Sequence, residues 1–486
     1  MSGSLNARHE EAISTVEDAG APRSLFERYS TAAADLLSRD QAKTLADRIF
    51  AMGKADETRV NVSSDWSGNT RFAGGEITTS GEITDASVTV TTTIGKRRAS
   101  ATTNVLDEAG LRRTVDLAER LAKLAPEDPE TMPELGPQSY SSVAGYVDRT
   151  ADLGPEARAA AARRVIERSG QTGKAAGDVF VAGFLEANAT ARAVATTKGL
   201  FAYHRSTDVN LSTTVRTPDG TGSGWASSGA RDWGNIDSAA LGTRAAQKAV
   251  ASRNPTAIEP GAYAVVLEPQ AVADLIPLLA GAFNARSADE GRSPFSKRGG
   301  GTKIGEKIAD ERVTIYSDPG DVQLLAQPFD NEGFPLKRNV WIENGILRNL
   351  SYSRFWAQKQ GKQPTGGGGG GGFGGFPGGL KMVGGTKSLD EVIAGTDRGV
   401  LITHFFYIRF LDPRTVLLTG LTRDGTFLIE KGRITRSLKN FRWNESPLFM
   451  LGKIDELGRA EPTAAGQVMP SIRARDFNFT SLSDAV

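Results

Sequence analysis

The chain has no cysteine, and only three of its 486 residues are histidine: His9, His204 and His404. Without thiols there is no disulfide, no thiolate nucleophile and no sulfur-ligated metal. The lack also fits a reducing compartment. No two histidines stand at the i, i+4 spacing of a helical metal pair. His404, between Thr403 and Phe405 in an apolar run, reads as a hydrogen-bonded core residue, because one isolated imidazole rarely holds zinc. Charge bias is missing too. Lys and Arg total 58 against 57 Asp and Glu, which gives no electrostatic case for nucleic acid or an anionic membrane. The local run Lys96, Arg97, Arg98 reads as a solvated hairpin tip. No stretch approaches the ~18 apolar residues that span a bilayer, and the first twenty residues lack the apolar core of a secretory signal. The expected location is cytoplasmic. Two catalytic signatures are absent as well. No Gly-x-Ser-x-Gly elbow joins a strand to a helix, and Gly222-Ser223-Gly224 falls in a hairpin region. Ser169 to Lys174 resembles a phosphate loop only superficially, with Arg168 at the first glycine position and Ala175 in place of Ser or Thr.

Apolar residues make up 39% and charged residues 24%, an ordinary globular balance in a chain long enough for two or three domains. Residues 1–37 read as a polar tail with a short helix near Leu25 to Leu37. Ser38 and Gln41 have capping-box spacing, and a helix with Leu45, Ile49 and Phe50 inward follows, ending at Gly53. Strands are predicted over Thr58 to Ser63, around a Gly74-Gly75 turn, and over Ala86 to Ile94, which returns past Gly95-Lys96 through Ala99 to Asn104. Leu111, Val115, Ala118, Leu121 and Leu124 make the stripe of a closing helix that Pro126 stops. After a connector, a helix opens at Pro155 and runs to Gly170. Strands then cover Val179 to Leu185, Ala189 to Thr197 and Leu200 to Thr214, and Asp237 caps another helix. These features divide the chain into 1–37, 38–125, 126–255 and a β-rich 256–486.

The most informative stretch runs from Gly261 to Arg292. Val265, Val266 and Leu267 form a buried strand, and Pro269 opens a helix because its missing N–H would be unpaired there anyway. Val272, Leu275, Ile276 and Leu279 share one helix face, and Pro277 predicts a break. Further on, Asn344-Gly345 turns a hairpin that the segment Phe427 to Ile434 echoes. Gly366 to Gly379 is a glycine-rich segment that cannot bury a core and reads as a flexible surface loop or, alternatively, a lid. The fold class is α+β: mixed α/β N-terminal units with antiparallel sheets, followed by a β-rich, barrel-like C-terminal domain.

The strand and helix at Gly261 to Arg292, the Asp330-Asn331-Glu332-Gly333 loop and the doubled hairpin resemble the TldD/TldE (PmbA) family over roughly residues 40 to 480. In the zinc-bearing TldD branch the helix carries His-Glu-x-x-x-His. The equivalent residues here are Pro269, Gln270, Ala271, Val272, Ala273 and Asp274, so neither histidine nor the glutamate is present. The branch's further Cys ligand falls near Pro462. The resemblance therefore implies a TldE-like member with no metal and no cofactor in this chain, zinc being expected only in a TldD-like partner. It implies a heterodimer, with peptides or unfolded polypeptide as substrate.

Two other readings stay open. One is a stand-alone hydrolase using carboxylates, for which Asp289, Glu290, Arg292, Asp330 and Glu332 are candidate cleft residues. Two carboxylates can do acid–base work if their environments push their pKa values apart. The other is a non-catalytic homodimer that binds peptides.

Overall fold

The computed structural model describes residues 36–367, 376, 379–464 and 466–483. Residues 1–35, with most of the helix expected near Leu25 to Leu37, lie outside the described residues, as does most of Gly366 to Gly379. Helix α1 (Arg39–Met52) begins with the expected box: Gln41 N donates to Ser38 Oγ at 3.2 Å, and Ser38 N donates to Gln41 Oε1 at 2.8 Å.

Strands β1 (Glu57–Ala73), β2 (Glu76–Ile94) and β3 (Arg97–Thr103) follow, and helix α2 (Glu108–Leu124) closes the unit. After α3 (Asp148–Ala151) and α4 (Pro155–Gly173) come β4 (Phe180–Thr196), β5 (Phe201–Arg216), β6 (Ser223–Ala230) and α5 (Ser238–Ala251). The six strands form one antiparallel sheet in the order β3-β2-β1-β4-β5-β6. Residues 38–125 and 126–255 thus share a sheet, joined where β1 pairs with β4.

The sequence predicts separate short strands where the structure has long ones. Asp65 to Asn69 does not interrupt β1, because β2 and β4 flank that stretch and supply its backbone hydrogen bonds. Val179 to Leu185 and Ala189 to Thr197 likewise merge into β4. Strict alternation of buried and half-buried positions along β1 puts Val60, Val62, Trp66 and Phe72 on one face. That face packs against α1, α2, α4 and α5. The opposite face turns toward the C-terminal half: Asn61 donates to Asn331 O at 2.8 Å, and Phe329 packs on Val194.

Helix α2 departs from the expected stripe. Leu111, Val115 and Ala118 are buried, but Leu121 and Leu124 are exposed, and Glu119 and Ala122 are buried in their place. The stripe read from large side chains drifts off the face that the 3.6-residue period sets. Glu119 is inward because its carboxylate accepts from Ala55 N at 3.0 Å, beyond the end of α1. Leu124→Lys should therefore leave unfolding free energy within about 0.5 kcal/mol, whereas Leu111→Ala should cost about 2–5 kcal/mol. Urea denaturation of both variants checks the pair, and similar costs would contradict this assignment of faces.

The C-terminal half is a larger sheet. Its strands are β7 (Ala262–Leu267), β8 (Ile315–Ser317), β9 (Asn339–Glu343), β10 (Ile346–Leu347), β11 (Lys381–Met382), β12 (Arg398–Asp412), β13 (Leu417–Glu430), β14 (Arg433–Ser437), β15 (Asn440–Glu445), β16 (Ile454–Pro462) and β17 (Val468–Ser483). Strand β7 pairs with β12 on one side and β17 on the other, and β17 returns through β15 and β13 to β12. Five strands therefore close on themselves, which gives the barrel-like part its form. Trp443, Phe405, Phe441, Phe477 and Phe479 fill its core. Helix α6 (Pro269–Leu275) follows β7, and the backbone tightens to a 3₁₀ helix from Ile276, one residue before Pro277.

Candidate functional site

A polar interior cluster lies where the open face of the first sheet meets the β12–β13 ladder and the start of α6. Strand β7 ends at Leu267, and Glu268 turns the chain into α6 with Pro269 in the first turn. One helical turn separates Gln270 from Asp274, so their side chains meet: Gln270 Nε2 donates to Asp274 Oδ1 at 2.8 Å. The other end of the same amide, Gln270 Oε1, accepts from Ala464 N at 3.1 Å. Asp274 Oδ2 accepts from Phe405 N at 2.9 Å. Burial raises the Asp274 carboxyl above the usual range, against the opposing pull of His404 and of these hydrogen bonds.

His404 is the centre of the cluster. Its Nε2 is 3.9 Å from Asp274 Oδ2, and its Nδ1 is 3.4 Å from Asp424 Oδ2. The indole of Trp225 stacks on the imidazole, with centroids 4.4 Å apart and planes 8° from parallel. Asp424 is 5% exposed and also accepts from Ser223 Oγ at 2.5 Å. Burial alone would raise the Asp424 carboxyl, but the bonds to His404 and Ser223 outweigh it and hold the group below the usual range. Two carboxylates thus flank one imidazole with their pKa values pushed in opposite directions. A backbone irregularity makes this possible. Asp424 has φ of 55° and Gly425 of 129°, the pairing register slips between Ile402 and His404, and Thr403 Oγ1 ties down Asp424 O at 3.1 Å.

Two cavities meet at Trp225. The smaller, about 30 Å³, is lined by Pro269, Gln270, Pro462, Glu461, Glu268 and Ser227 among others. That is room for a water molecule and not for a peptide. Ser227 Oγ is buried with no hydrogen-bond partner among the described residues. Lys248 of α5 closes the floor, donating to Glu268 at 2.7 Å and to Trp225 O at 3.3 Å. The larger cavity, about 370 Å³, is lined by Phe180, Arg216, Trp225, His404, Phe406, Arg423 and Asp424 together with two smaller residues.

Residues Pro269, Gln270 and Pro462 therefore stand together, with Asp274 bonded to Gln270 behind them. As a donor set these four do not fit tetrahedral zinc, which takes Cys, His and carboxylate ligands. Two of them are prolines, and the amide and carboxylate are spent on each other and on backbone N–H groups.

The other sequence candidates make separate sets of contacts. Asp289 Oδ2 accepts from Trp356 Nε1 at 2.6 Å. Glu290 pairs with Arg286 at 2.9 Å and with Arg292, and Arg286 reaches Glu130 at 2.7 Å. Asp330 accepts from the backbone N–H of Glu332, Phe334 and Gly367, which fixes a turn, while Glu332 pairs with Arg354 at 3.2 Å. Burial raises Asp330, and burial together with the Asp330 charge pushes the Tyr140 hydroxyl up to about 12. His404 is hydrogen-bonded, as the sequence predicts, yet it borders a cavity instead of sitting in the apolar core. The sequence weighs Ser223 only as part of a nucleophile elbow that is set aside, and it does not single out Asp424, Trp225, Arg216 and Arg423 as site residues. The one local signal is Asp424-Gly425, a turn dipeptide inside a strand.

Comparison with known proteins gives this geometry a lineage. A metalloprotease TldD homolog of Buchnera aphidicola (subsp. Acyrthosiphon pisum) is 29% identical over 164 residues, which is 32% of this chain and 33% of that protein. A TldD homolog of Haemophilus influenzae is 28% identical over 160 residues, 31% of this chain and 32% of that protein. The matched stretch thus spans about a third of the length of these curated relatives. The crystal structure of TldE from Thermococcus kodakarensis superposes with a TM-score of 0.80 at 21% identity, covering 91% of this chain and 99% of that one. Three family models match in chain order: PmbA/TldA metallopeptidase domain 1 over residues 59–122, the central domain over 104–253 and the C-terminal domain over 260–481. With all three domain models matched across the two sheets and the cluster between them, this chain belongs to the PmbA/TldD family of metallopeptidase-like proteins.

Proposed function

We propose that this chain is a TldE-like subunit that carries no zinc and acts as partner to a TldD-like catalytic subunit in a peptidase of peptides or unfolded polypeptides. One observation carries the reading. The positions matching the zinc motif hold Pro269, Gln270, Asp274 and Pro462, and their polar atoms are tied into one another and into the backbone around a cleft the size of a water molecule. A cleft of that size has no room for a peptide. The intact surroundings suit a subunit that keeps the architecture to shape a shared channel. Cytoplasmic placement fits a chain in which, among the described residues, no helix is long and apolar enough to cross a membrane.

The test is metal content and peptidase activity of the purified chain, alone and mixed with a homologue carrying His-Glu-x-x-x-His. The expected result is less than a tenth of a zinc per chain as a rough bound, no cleavage alone, co-elution with the homologue on gel filtration, and cleavage in the mixture. Cleavage by the chain alone would overturn the proposal.

A second reading has its own observation: His404 between Asp274 and Asp424 beside a cavity of about 370 Å³ is an arrangement that general-base chemistry uses. Under that reading the chain alone hydrolyses a substrate, and His404→Gln abolishes the activity.

A further inference from the structure

Strand β2 has a neighbour on its outer side for only part of its length. Strand β3 pairs with it from Val88 to Ile94, while β1 pairs with it from Glu76 to Thr93. From Glu76 to Ser87 the outer edge therefore has no strand beside it among the described residues. Alternate N–H and C=O groups of that stretch point away from the sheet. All of Glu76 to Ser80 and of Glu82 to Asp85 is exposed. Arg158 of α4 touches the stretch from the helix side, reaching Gly81 O at 3.5 Å and Glu82 at 3.0 Å. Open edges in natural proteins are usually blocked by lysine, proline or a bulge. Strand β2 contains no lysine and no proline, and its one irregularity against β1 lies at the hairpin tip, opposite Arg71 and Phe72. From Thr79 to Ser87 the register is unbroken, a regular open edge of roughly 30 Å.

The charge of this edge has one sign. Glu76, Glu82 and Asp85 are its charged residues, and β2 holds no Arg either. Glu82 is answered by Arg158, but Glu76 and Asp85 have no ion pair among the described residues. Asp85 stands directly opposite Asp65, which Arg192 reaches at 3.9 Å. Pairing of this edge with the same edge of a second copy would set acid against acid with no cation between them, and like charges so placed are destabilising. A chain that carries Lys or Arg meets the edge with opposite charge. The unpaired backbone groups fix the form of that chain, because only an extended polypeptide presents N–H and C=O groups at the strand repeat. Ile83 and Asp85 are in register with Ser67 and Asp65, so they lie on the open face of the sheet, the one turned toward the C-terminal half. Alternate side chains of an added strand would continue that face beside Asp85 and beside Ile83, which is 65% exposed.

We propose that the outer edge of β2, from Glu76 to Ser87, binds an extended basic segment of an unfolded polypeptide, which adds to the first sheet as a further strand. The proposal rests on the peptide-handling reading above and names the form and charge of what is handled. Main-chain pairing tolerates many sequences, and the acidic residues favour basic ones.

The test uses the isolated full chain, so it needs neither a partner nor cleavage, and failure to pair with a zinc-bearing homologue would be a separate result. The probe is acetyl-Lys-Val-Thr-Val-Lys-Val-Thr-amide, with binding followed by calorimetry. One control replaces both lysines by glutamate. The other places proline at the third and fourth residues, which removes an N–H from each edge of the peptide. The lysine peptide should bind at least about tenfold more tightly than either control. Glu76→Lys with Asp85→Lys, both at exposed positions, should lose about tenfold for the lysine peptide and gain for the glutamate one. Hydrogen exchange read by mass spectrometry should show about half of the amides from Glu76 to Ser87 exchanging fast in the free chain and slowing when the lysine peptide is added. Equal binding of the proline control overturns strand addition, and equal binding of the glutamate control overturns the basic preference. No binding at millimolar concentration overturns the proposal outright. Slow exchange across Glu76 to Ser87 in the free chain does so too, since the edge would then be occupied already, by the chain's own leading residues or by a second copy.

Discussion

Trp443→Ala is expected to lower the unfolding free energy by about 3–5 kcal/mol, the range for removing a fully buried aromatic side chain. Trp443 has no solvent exposure and sits in the closed ring of five strands, its centroid 4.9 Å from that of Phe405 and 5.7 Å from that of Phe477. It is paired directly with Gly420, and a Cβ at Gly420 would come within 2.6 Å of the indole, so the neighbouring strand has been cleared for the ring. Alanine leaves a void that close-packed strands cannot collapse to fill. The indole N–H has no hydrogen-bond partner among the described residues, so its loss leaves no acceptor stranded. Trp443→Phe should accordingly cost much less, about 1–2 kcal/mol. The measurement is the urea midpoint at unchanged m-value. A Trp443→Ala cost below about 1.5 kcal/mol would mean that the ring is not packed as described. The site depends on the same packing. Phe405 points into the barrel against Trp443, its own N–H holds Asp274 at 2.9 Å, and the next residue back is His404.

The parts of this structure that were legible in the sequence are those decided within a few residues. Ser38 with Gln41 and Asp237 before α5 announce helix starts because capping is a local exchange of hydrogen bonds, and Pro269 at the start of α6 does so because it has no N–H to leave unpaired. The hairpin turns at Asn344-Gly345 and Lys431-Gly432 have positive φ at both positions, 50° and 75° in the first and 52° and 74° in the second, as a two-residue turn of this hand demands. What was misread depends on partners far along the chain. The polar run Asp65 to Asn69 looks like a loop until β4, more than a hundred residues later, pairs with it. Leu121 and Leu124 look inward because they are large, although the covering surface lies a fraction of a turn away. The site divides in the same way. Pro269, Gln270 and Asp274 follow one another on α6, and Pro462 ends β16 beside them, so the first three are neighbours in sequence and the fourth is not. The Ser223, Trp225, His404 and Asp424 cluster joins β6 to β12 and β13 across about two hundred residues, and nothing near any one of these residues points to the others.

Asp424 ties β13 to both β6 and β12, and its replacement should be expensive in a way that separates charge from shape. Asp424→Ala strands the buried Ser223 hydroxyl, removes the contact to His404 and puts a β-carbon residue without a polar group at φ of 55°. A cost of about 3 kcal/mol is expected from the broken buried network and the left-handed backbone together. Asp424→Asn keeps the shape, keeps an acceptor for Ser223 and tolerates the left-handed conformation, so it should cost about 1 kcal/mol at neutral pH. The pH dependence then identifies the charge. The folded carboxyl of Asp424 lies below its unfolded value, so its contribution is fully present above the ordinary carboxylate range near ~3.9 and is lost as pH falls through the lower folded value. Asp274 behaves oppositely. Its folded carboxyl is raised, so its contribution is present in acid and lost as pH rises through the folded value. The stability curve of the natural protein sums both slopes, so the informative quantity is the difference between it and Asp424→Asn. That gap should be constant from pH 7 to about 5 and shrink toward zero below about pH 4. A gap that stays constant into acid would show that Asp424 holds the strands by shape alone, and the picture of an ionised carboxylate poised between Ser223, His404 and Arg423, whose Nε is 3.8 Å from Asp424 Oδ2, would have to be given up.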